Sequence, residues 1–257
     1  MPKITAITFD LWQTLLLDNR DLGRARTQVR LEGAQQALEQ FGESYNLEHI
    51  REAYRTCYRR CQQIRSQNRD VSFQDQVEIF IDNISPGLVR RLPQETMREI
   101  LRAYADSFFV HPPVPHEAAL TVLSSVRDMG LKIGLISNTG MTPGVAFRKF
   151  LEQHGMLKYF DVLTFSDEVQ LAKPAEEIFL MTLRELAAAP GESIHIGDHV
   201  VNDVVGAKQS GMKTIWIEGF YQRQDESDPA SEPDFKVPGL GMVAEAIREL
   251  CAGQVSP

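Results

Sequence analysis

The chain has 257 residues, 43% of them hydrophobic and 24% charged, which is the composition of an ordinary globular protein with a sizeable core. Its net charge of −8 argues against a general nucleic-acid or membrane-surface role, because both partners attract basic proteins. No run reaches the roughly 18–20 apolar residues that span a bilayer, and the first twelve residues lack signal-peptide features, so we expect a cytoplasmic protein with no membrane partner.

Short, β-branched apolar runs occur at the start of the chain and throughout its second half. They are nearly continuous rather than alternating, which is typical of strands that are covered on both faces. The predicted strands are residues 4–9, 131–136, 161–165, 193–196 and 213–217.

Segments with helical periodicity separate the strands of the second half. Gly130, Gly155 and Gly211 fall where three of these helices should end. This alternation of strand and helix predicts an α/β fold with a doubly wound parallel sheet. The predicted helices are residues 118–129, 143–154, 175–188 and 202–211.

Residues 17–112 have a different pattern, with dense Arg, Gln and Glu, apolar residues at helical spacing and no convincing strand. The segment ends in the proline-rich stretch 111–115, which predicts a stiff extended linker. We therefore predict an α/β core domain of residues 1–16 and 113–257. Residues 17–112 form a second, all-helical domain inserted after the first strand.

Three further features are predicted to be structural. Cys57 and Cys61 lie four residues apart, on one face of a helix, and without a second Cys/His pair we interpret them as ordinary thiols, like Cys251. Residues 224–233 predict an acidic surface loop, and a last helix is expected from about Met242.

Polar side chains follow three of the predicted strands. Asp10 follows the first, Ser137 and Asn138 follow the second, and Asp198 follows the strand at 193–196. Ligands of open parallel sheets bind beyond the carboxyl ends of the strands, so we expect these groups to meet at one edge. Taken singly, each has a plainer interpretation as a turn or helix cap.

The ordered set of motifs resembles the haloacid dehalogenase-like (HAD) superfamily. Residues 10–14 (DLWQT) resemble the first motif, 137–139 (SNT) the second, 173–174 (KP) the third and 197–203 (GDHVVND) the fourth. The resemblance implies a hydrolase with a Rossmann-like core and a helical type-1 cap at the insertion. Its substrate is expected to be a small phosphorylated molecule.

The resemblance also implies the roles of four side chains. Asp10 is expected to be a covalent nucleophile, and Ser137 and Asn138 are expected to bind the anion that is transferred. Lys173 is expected to neutralise charge on Asp10 and on that group. Without the other motifs, Lys173 would be interpreted as a solvated surface lysine.

A magnesium site follows from the same resemblance. Its expected ligands are Asp10, the backbone carbonyl of Trp12, Asp198, and Asp203 directly or through water. Carboxylate and carbonyl oxygens are the ligands that Mg²⁺ prefers.

Trp12 departs from the pattern of most phosphatases of the superfamily, which carry a second Asp at this position as the general acid. Superfamily dehalogenases also have an aromatic residue there, so a metal-free 2-haloacid dehalogenase is the alternative function. They replace the metal-binding acid of the fourth motif, whereas this chain keeps Asp198 and Asp203, which favours the phosphatase. A low-turnover, metal-bound binding module is a third hypothesis.

The sequence says less about the roles of the histidines, the determinants of the substrate and the oligomeric state. His199 is a candidate for contact with the substrate, whereas His111, His116 and His195 are expected to be structural and Trp216 to belong to the core. The inserted helices are expected to set the substrate. The sequence does not predict the oligomeric state.

Overall fold

A six-stranded parallel sheet lies at the centre of the computed structural model, which describes residues 3–219 and 231–252. The spatial order is β5-β4-β1-β6-β7-β8. A separate antiparallel pair consists of β2 and β3. The strands are β1 Ala6–Phe9, β2 Leu16–Leu17, β3 Val114–Pro115, β4 Lys132–Ser137, β5 Val162–Phe165, β6 Ser193–Gly197, β7 Lys213–Ile217 and β8 Phe235–Val237.

The predicted α/β fold is confirmed, and each of the five predicted strands is present within two residues of its expected ends. The first strand, β1, lies between β4 and β6, with Phe9 opposite both Leu135 and Ile196. All four residues of β1 are buried, as their continuous apolar run predicts. This register directs the residue after β1, Asp10, to the middle of the carboxyl edge of the sheet.

Helices cover the sheet, and all four predicted core helices are present. The last of them differs from its prediction, because residues Val200–Val205 form a turn of π-helix before a short α-helix. Wider turns of this kind occur often at functional sites. The core helices are α6 Ala119–Asp128, α7 Gly144–Gln153, α8 Ser166–Val169, α9 Glu176–Glu185, α10 Gly206–Gln209 and α11 Val243–Ala252.

The inserted segment is helical, as predicted, and its helices enclose a separate apolar cluster that includes Leu31, Phe80 and Tyr104. Asn19, Asn46 and Ser72 cap three of its helices with their side-chain oxygens. The cap helices are α1 Arg20–Phe41, α2 Leu47–Arg65, α3 Phe73–Ile84, α4 Leu88–Arg91 and α5 Gln94–Val110.

The linker at 111–115 is not simply an extended spacer. Its last two residues form β3, which pairs with β2 across the predicted boundary between the two domains. Extended backbone next to a second extended segment satisfies its hydrogen bonds by pairing, and sequence periodicity gives no sign of so short a pair. The exact division at residues 16 and 113 stays a prediction.

The remaining structural predictions have mixed outcomes. Cys57 and Cys61 are buried free thiols with their Sγ atoms 3.9 Å apart, and the last helix begins at Val243. The acidic loop at 224–233 lies mostly outside the described residues. Within the ranges given above, none of the helices combines the length and the hydropathy that a membrane-spanning segment needs. The cytoplasmic location stays a prediction.

Candidate active site

Three carboxylates meet at the carboxyl edge of the sheet. Asp10 follows β1, Asp198 follows β6, and Asp203 extends from the π-helical turn after β6. One oxygen from each lies within 4.8 Å of the others, and all three residues are buried. The expected meeting of Asp10 and Asp198 at one edge is therefore observed.

Lys173 lies between two of these carboxylates. Its Nζ donates to Asp10 Oδ1 and to Asp203 Oδ1, each at 2.6 Å, and the side chain is 1% exposed. Burial acts to lower the pKa of Lys173, but the two carboxylates outweigh it and the pKa is raised. With three carboxylates and one ammonium, the cluster formally carries two excess negative charges.

Asp203 uses both of its oxygens within the protein. Besides Lys173, Oδ1 lies 3.2 Å from His195 Nε2, and Oδ2 accepts from the backbone N–H of His199 at 2.9 Å. Burial acts to raise the pKa of Asp203, yet Lys173 and His195 lower it below its usual range. These contacts suit Asp203 to orienting Lys173, and its predicted metal contact stays a prediction.

His195 is predicted from the sequence to be merely structural, but it belongs to the polar network of the site. Its Nδ1 lies 2.8 Å from Thr8 Oγ1, so Thr8, His195, Asp203, Lys173 and Asp10 form one buried chain of polar contacts. Burial lowers the pKa of His195, which favours the neutral ring. Thr8 and His195 are directly opposite in neighbouring strands, and the register of β1 with β6 is the signal that could have found the pair.

Asp198 has a different environment from Asp203. Its Oδ2 is buried and has no hydrogen-bond partner among the residues described. Burial, followed by repulsion from Asp10 and Asp203, raises the pKa of Asp198 to about 8. Burial also raises the pKa of Asp10, to about 6, with Asp203 adding to the effect and Lys173 opposing it. An orphaned oxygen beside two other carboxylates is a donor set that fits a hard divalent cation.

The backbone of Asp198 and the carboxyl group of Asp203 are each constrained by a neighbouring residue. Trp216, predicted to be a core residue, is buried, and its indole N–H also donates to the backbone oxygen of Asp198 at 2.7 Å. A β-carbon added at Gly197 would lie only 2.3 Å from the Asp203 carboxyl group. Any side chain at 197 therefore displaces Asp203.

The second motif lies beside the third. Asn138 Nδ2 donates to the backbone oxygen of Lys173 at 2.9 Å, and Lys173 N donates to Asn138 Oδ1 at 2.8 Å. The amide of Asn138 thus holds the Lys173 backbone, a contact that the expected anion-binding role did not include. The hydroxyls of Ser137 and Thr14 are buried and, in the part of the chain described, make no hydrogen bond.

The connection between α2 and α3 holds the loop after the second motif. Asp70 Oδ2 accepts from the Ser166 hydroxyl at 2.5 Å, and Ser166 Oγ accepts from the Thr139 N–H at 2.9 Å. Arg65 donates to Asp70 Oδ1 at 2.7 Å and to the Gly140 carbonyl at 2.6 Å. A buried ion pair from the cap therefore positions the backbone of the second motif.

The same connection also holds the segment before Lys173. Ala172 N donates to the Asn68 carbonyl, and Asp70 N donates to the Gln170 carbonyl, both at 3.1 Å. We call this set of contacts, made by residues 65–70, the cap bracket. The sequence does not predict the cap bracket, because its contacts join loops that are far apart in the chain.

Trp12 belongs to an aromatic cluster at the edge of the site. Its ring lies edge-on to Phe147 and Phe108, with centroids 5.1 and 6.2 Å away, and the Arg26 guanidinium lies 5.7 Å from its centre. The backbone carbonyl of Trp12 stays a predicted metal ligand. The site opens into a pocket of about 600 Å³ that also includes Trp12, His199 and residues of α1 and α2.

Comparison with known proteins agrees with the fold. The family model for haloacid dehalogenase-like hydrolases matches residues 4–211, and the chain belongs to this family of hydrolases. The glyceraldehyde 3-phosphate phosphatase of Methanopyrus kandleri is 30% identical over 58% of this chain and 62% of its own length. The phosphoserine phosphatase of Thermus thermophilus is 30% identical over 60% of this chain and 59% of its own length. The chain thus spans about three fifths of these relatives.

A solved structure shares the fold over nearly the whole chain. The 2-haloacid dehalogenase of Pseudomonas syringae superposes with a TM-score of 0.69 and 19% identity, covering 96% of this chain and 99% of that one. At this identity the likeness shows the fold alone. It agrees with a Rossmann-like core that carries a helical cap.

Proposed function

We propose that the protein is a Mg²⁺-dependent phosphatase of small phosphorylated molecules, with Asp10 as its covalent nucleophile. The observation that carries the proposal is the buried, unpartnered Oδ2 of Asp198 beside Asp10 and Asp203. In a cluster of carboxylates without a cation, mutual repulsion raises the pKa values of the carboxyl groups. A carboxyl group that is protonated more often is a weaker nucleophile. The named phosphatases among the relatives support the same reaction.

In the proposed reaction, the Asp10 carboxylate attacks phosphorus and the alcohol or phenol oxygen departs, which leaves an aspartyl phosphate. Water then attacks the phosphorus, releases inorganic phosphate and restores Asp10. Lys173, whose Nζ lies 2.6 Å from Asp10 Oδ1, provides positive charge beside the nucleophile, and Asp203 orients it. Mg²⁺ bound by Asp10, Asp198 and the Trp12 carbonyl would offset the negative charge of the carboxylates and of the phosphoryl group.

The second candidate function is 2-haloacid dehalogenation, and Trp12 is the observation that favours it. An aromatic side chain packed against Phe108 and Phe147 cannot protonate a leaving group, and a halide ion needs no proton. In that reaction the Asp10 carboxylate attacks the carbon that bears the halogen, halide ion departs as the ester forms, and water then hydrolyses the ester. The third hypothesis, a binding module, predicts neither reaction.

A single turnover in ¹⁸O-labelled water separates the candidates. In the phosphatase, water attacks phosphorus, so the label enters inorganic phosphate and the Asp10 peptide stays unlabelled. In the dehalogenase, water attacks the ester carbonyl, so the label enters the Asp10 carboxyl group. The proposal would be overturned if turnover of 2-chloropropionate put the label into Asp10 while p-nitrophenyl phosphate was not hydrolysed. If neither substrate was turned over, the binding module would be favoured.

A further inference from the structure

One face of α1 forms the cap-side wall of the pocket above Asp10. The residues that contribute to this wall lie at helical spacing, so their side chains point to the same side of the helix. They include Arg20, Arg24, Thr27 and Arg30, together with Arg26 one position away.

Arg30 is the most informative of these residues because its charge is buried without a counter-ion. The residue is 4% exposed, and its guanidinium donates to Ser107 Oγ, Tyr54 OH and Thr142 Oγ1 at 2.9–3.0 Å. All three acceptors are neutral hydroxyls, and the guanidinium also lies 4.5 Å from the centre of the Tyr104 ring, a cation–π contact. In the described ranges 3–219 and 231–252, no carboxylate lies within ion-pair distance of Arg30.

Hydroxyls and an aromatic ring offset part of the cost of burying this cation but supply no full negative charge, and guanidinium groups do not lose their proton in proteins. Three of the five N–H donors of Arg30 are used, which leaves two for another acceptor. Tyr54 and Thr142, two of its partners, also line the pocket. The missing negative charge can therefore be supplied from the pocket itself.

Two more cations lie along the same helix face. Among the described residues, Arg24 pairs with Asp21 alone, and both side chains are highly exposed, at 77% and 90%, so this pair is weak. Arg20 makes no ion pair in the described part of the chain. Arg26 differs, since it is buried, pairs with Asp18 and donates to the His111 carbonyl.

The phosphate end of a substrate does not account for these charges. Lys173 already serves Asp10 and Asp203 at the sheet edge. A divalent cation would be held there as well, by the carboxylates of the acidic cluster. The cap therefore carries positive charge beyond what the proposed reaction centre requires.

We propose that the preferred substrates are phosphate esters that carry a second anionic group, a carboxylate or a second phosphate, and that Arg30, Arg20 and Arg24 bind this group. The inference rests on the proposed phosphatase function and specifies its substrate class. A pocket of about 600 Å³ has room for a small molecule with two charged ends.

The test compares three aryl phosphates with different groups at the 3-position of the ring: 3-carboxyphenyl, 3-phosphonophenyl and neutral 3-carbamoylphenyl phosphate. For the wild type with Mg²⁺, we expect kcat/KM to be about tenfold or more higher for the charged esters, the effect of one charge-assisted hydrogen bond. The carboxylate and phosphonate esters distinguish the two kinds of anion.

Two variants are compared with the wild type. The first combines Arg20→Gln with Arg24→Gln, and the second is Arg30→Lys, which keeps the charge but loses the forked donors. Each should lower the preference for the charged esters over the neutral one severalfold. Arg98→Gln is the matched control, because Arg98 is also exposed and pairs with an acid three residues away, Glu95, but does not line the pocket. The control should keep the wild-type preference. Melting temperatures report whether each variant is folded.

Two outcomes would overturn the inference in distinguishable ways. Equal kcat/KM for charged and neutral esters in the wild type, or a preference that survives the Arg20/Arg24 double substitution and Arg30→Lys, would refute the second-anion site and leave the phosphatase intact. Failure to hydrolyse all three esters with Mg²⁺ would refute the proposed function, and the inference with it.

Discussion

The carboxyl group of Asp198 makes metal-free stability depend on pH. Its pKa is raised from 3.8 to about 8, chiefly by burial, so the folded state binds this proton more tightly than the unfolded chain does. The stability that this proton contributes is therefore complete below about pH 4 and is lost as the pH rises through 8. Asp10, with a pKa raised to about 6, acts in the same direction.

We accordingly expect the melting temperature without metal to fall between about pH 4 and pH 8, the range that these pKa values span. Mg²⁺ competes with the proton, so the stabilisation that it gives should increase over the same range. Asp198→Asn should flatten the pH dependence and weaken the Mg²⁺ effect, whereas Asp75→Asn, at the exposed start of α3, should do neither. A metal-free profile that rises toward pH 8 would contradict the assigned environment of Asp198. Thermal melts in chelator and in Mg²⁺ measure both effects.

Trp12 predicts a strong dependence on the leaving group. Because no acid stands at this position, aryl and acyl phosphates should turn over about 10²–10⁴ times faster than alkyl phosphates. The measurement is kcat/KM across a series of esters with leaving groups of increasing pKa. Equal rates for aryl and alkyl esters would mean that another group donates the proton, and His199 would be the first to substitute.

The direct substitution Trp12→Asp is a less clean test than the sequence alone suggests. The partly buried indole packs on Phe108 and Phe147, so its removal leaves a gap that costs stability, though less than the roughly 3–5 kcal/mol typical of a fully buried aromatic residue. A gain for alkyl phosphates is still expected. It should be compared with Trp12→Asn, which opens the same gap without supplying an acid.

Gly197 tests the position of Asp203. Because an added β-carbon meets the Asp203 carboxyl group at 2.3 Å, Gly197→Ala should displace Asp203 and with it Lys173. A misplacement of about 1 Å lowers rates about 10²-fold, and we expect kcat/KM to fall by that order. Gly239→Ala, where a β-carbon meets nothing within 4 Å, is the control. Wild-type kcat/KM in Gly197→Ala would refute the positioning role of Asp203.

The central site residues are predictable because each follows a recognisable strand or turn. Asp10 and Asp198 end buried apolar runs, and Lys173 precedes a proline and a helix. His195 and Asp70 could not be assigned in this way, since their roles depend on which residues stand opposite them in space. The sequence places His195 on a strand, but only the register brings it to Thr8 and Asp203.

At the scale of elements, the cap bracket predicts that the cap supports the second motif. Asp70→Asn removes the carboxylate that pairs with Arg65 in a buried setting, a change that typically costs about 3–5 kcal/mol. We expect a lower melting temperature and a kcat/KM reduced about tenfold or more, because the Ser166–Thr139 contact loosens.

Asp75→Asn is the matched control for this change. Asp75 also accepts from a serine hydroxyl, that of Ser72, but the contact is local and exposed on the cap. Loss of stability in Asp70→Asn without any loss of kcat/KM would show that the bracket is merely structural. Kinetics should be measured well below the melting temperature of the variant.

Apolar runs and glycine stops predict the strands and most core helices, because burial on both faces of the sheet leaves a clear pattern. The pattern does not predict the π-helical turn after β6 or the pairing of β2 with β3. Both depend on a few backbone hydrogen bonds rather than on an apolar face. The helical insertion itself was predictable from its periodicity, whereas its contacts with residues 140–142, Ser166 and residues 170–172 were not.

At the scale of the whole molecule, the two halves divide the work of the proposed reaction. The sheet edge carries the nucleophile, Lys173 and the acidic cluster, and α1 of the cap carries the positive wall. The net charge of −8 gives no sign of this local positive surface, since it sums over the whole chain.

The most direct test of the account is hydrolysis of p-nitrophenyl phosphate with and without Mg²⁺. We predict that activity disappears with a chelator, returns with Mg²⁺, is abolished in Asp10→Asn, and requires far more Mg²⁺ in Asp198→Asn. Hydrolysis that is insensitive to chelator, or chelator-insensitive release of halide from 2-chloropropionate in the absence of phosphatase activity, would contradict it.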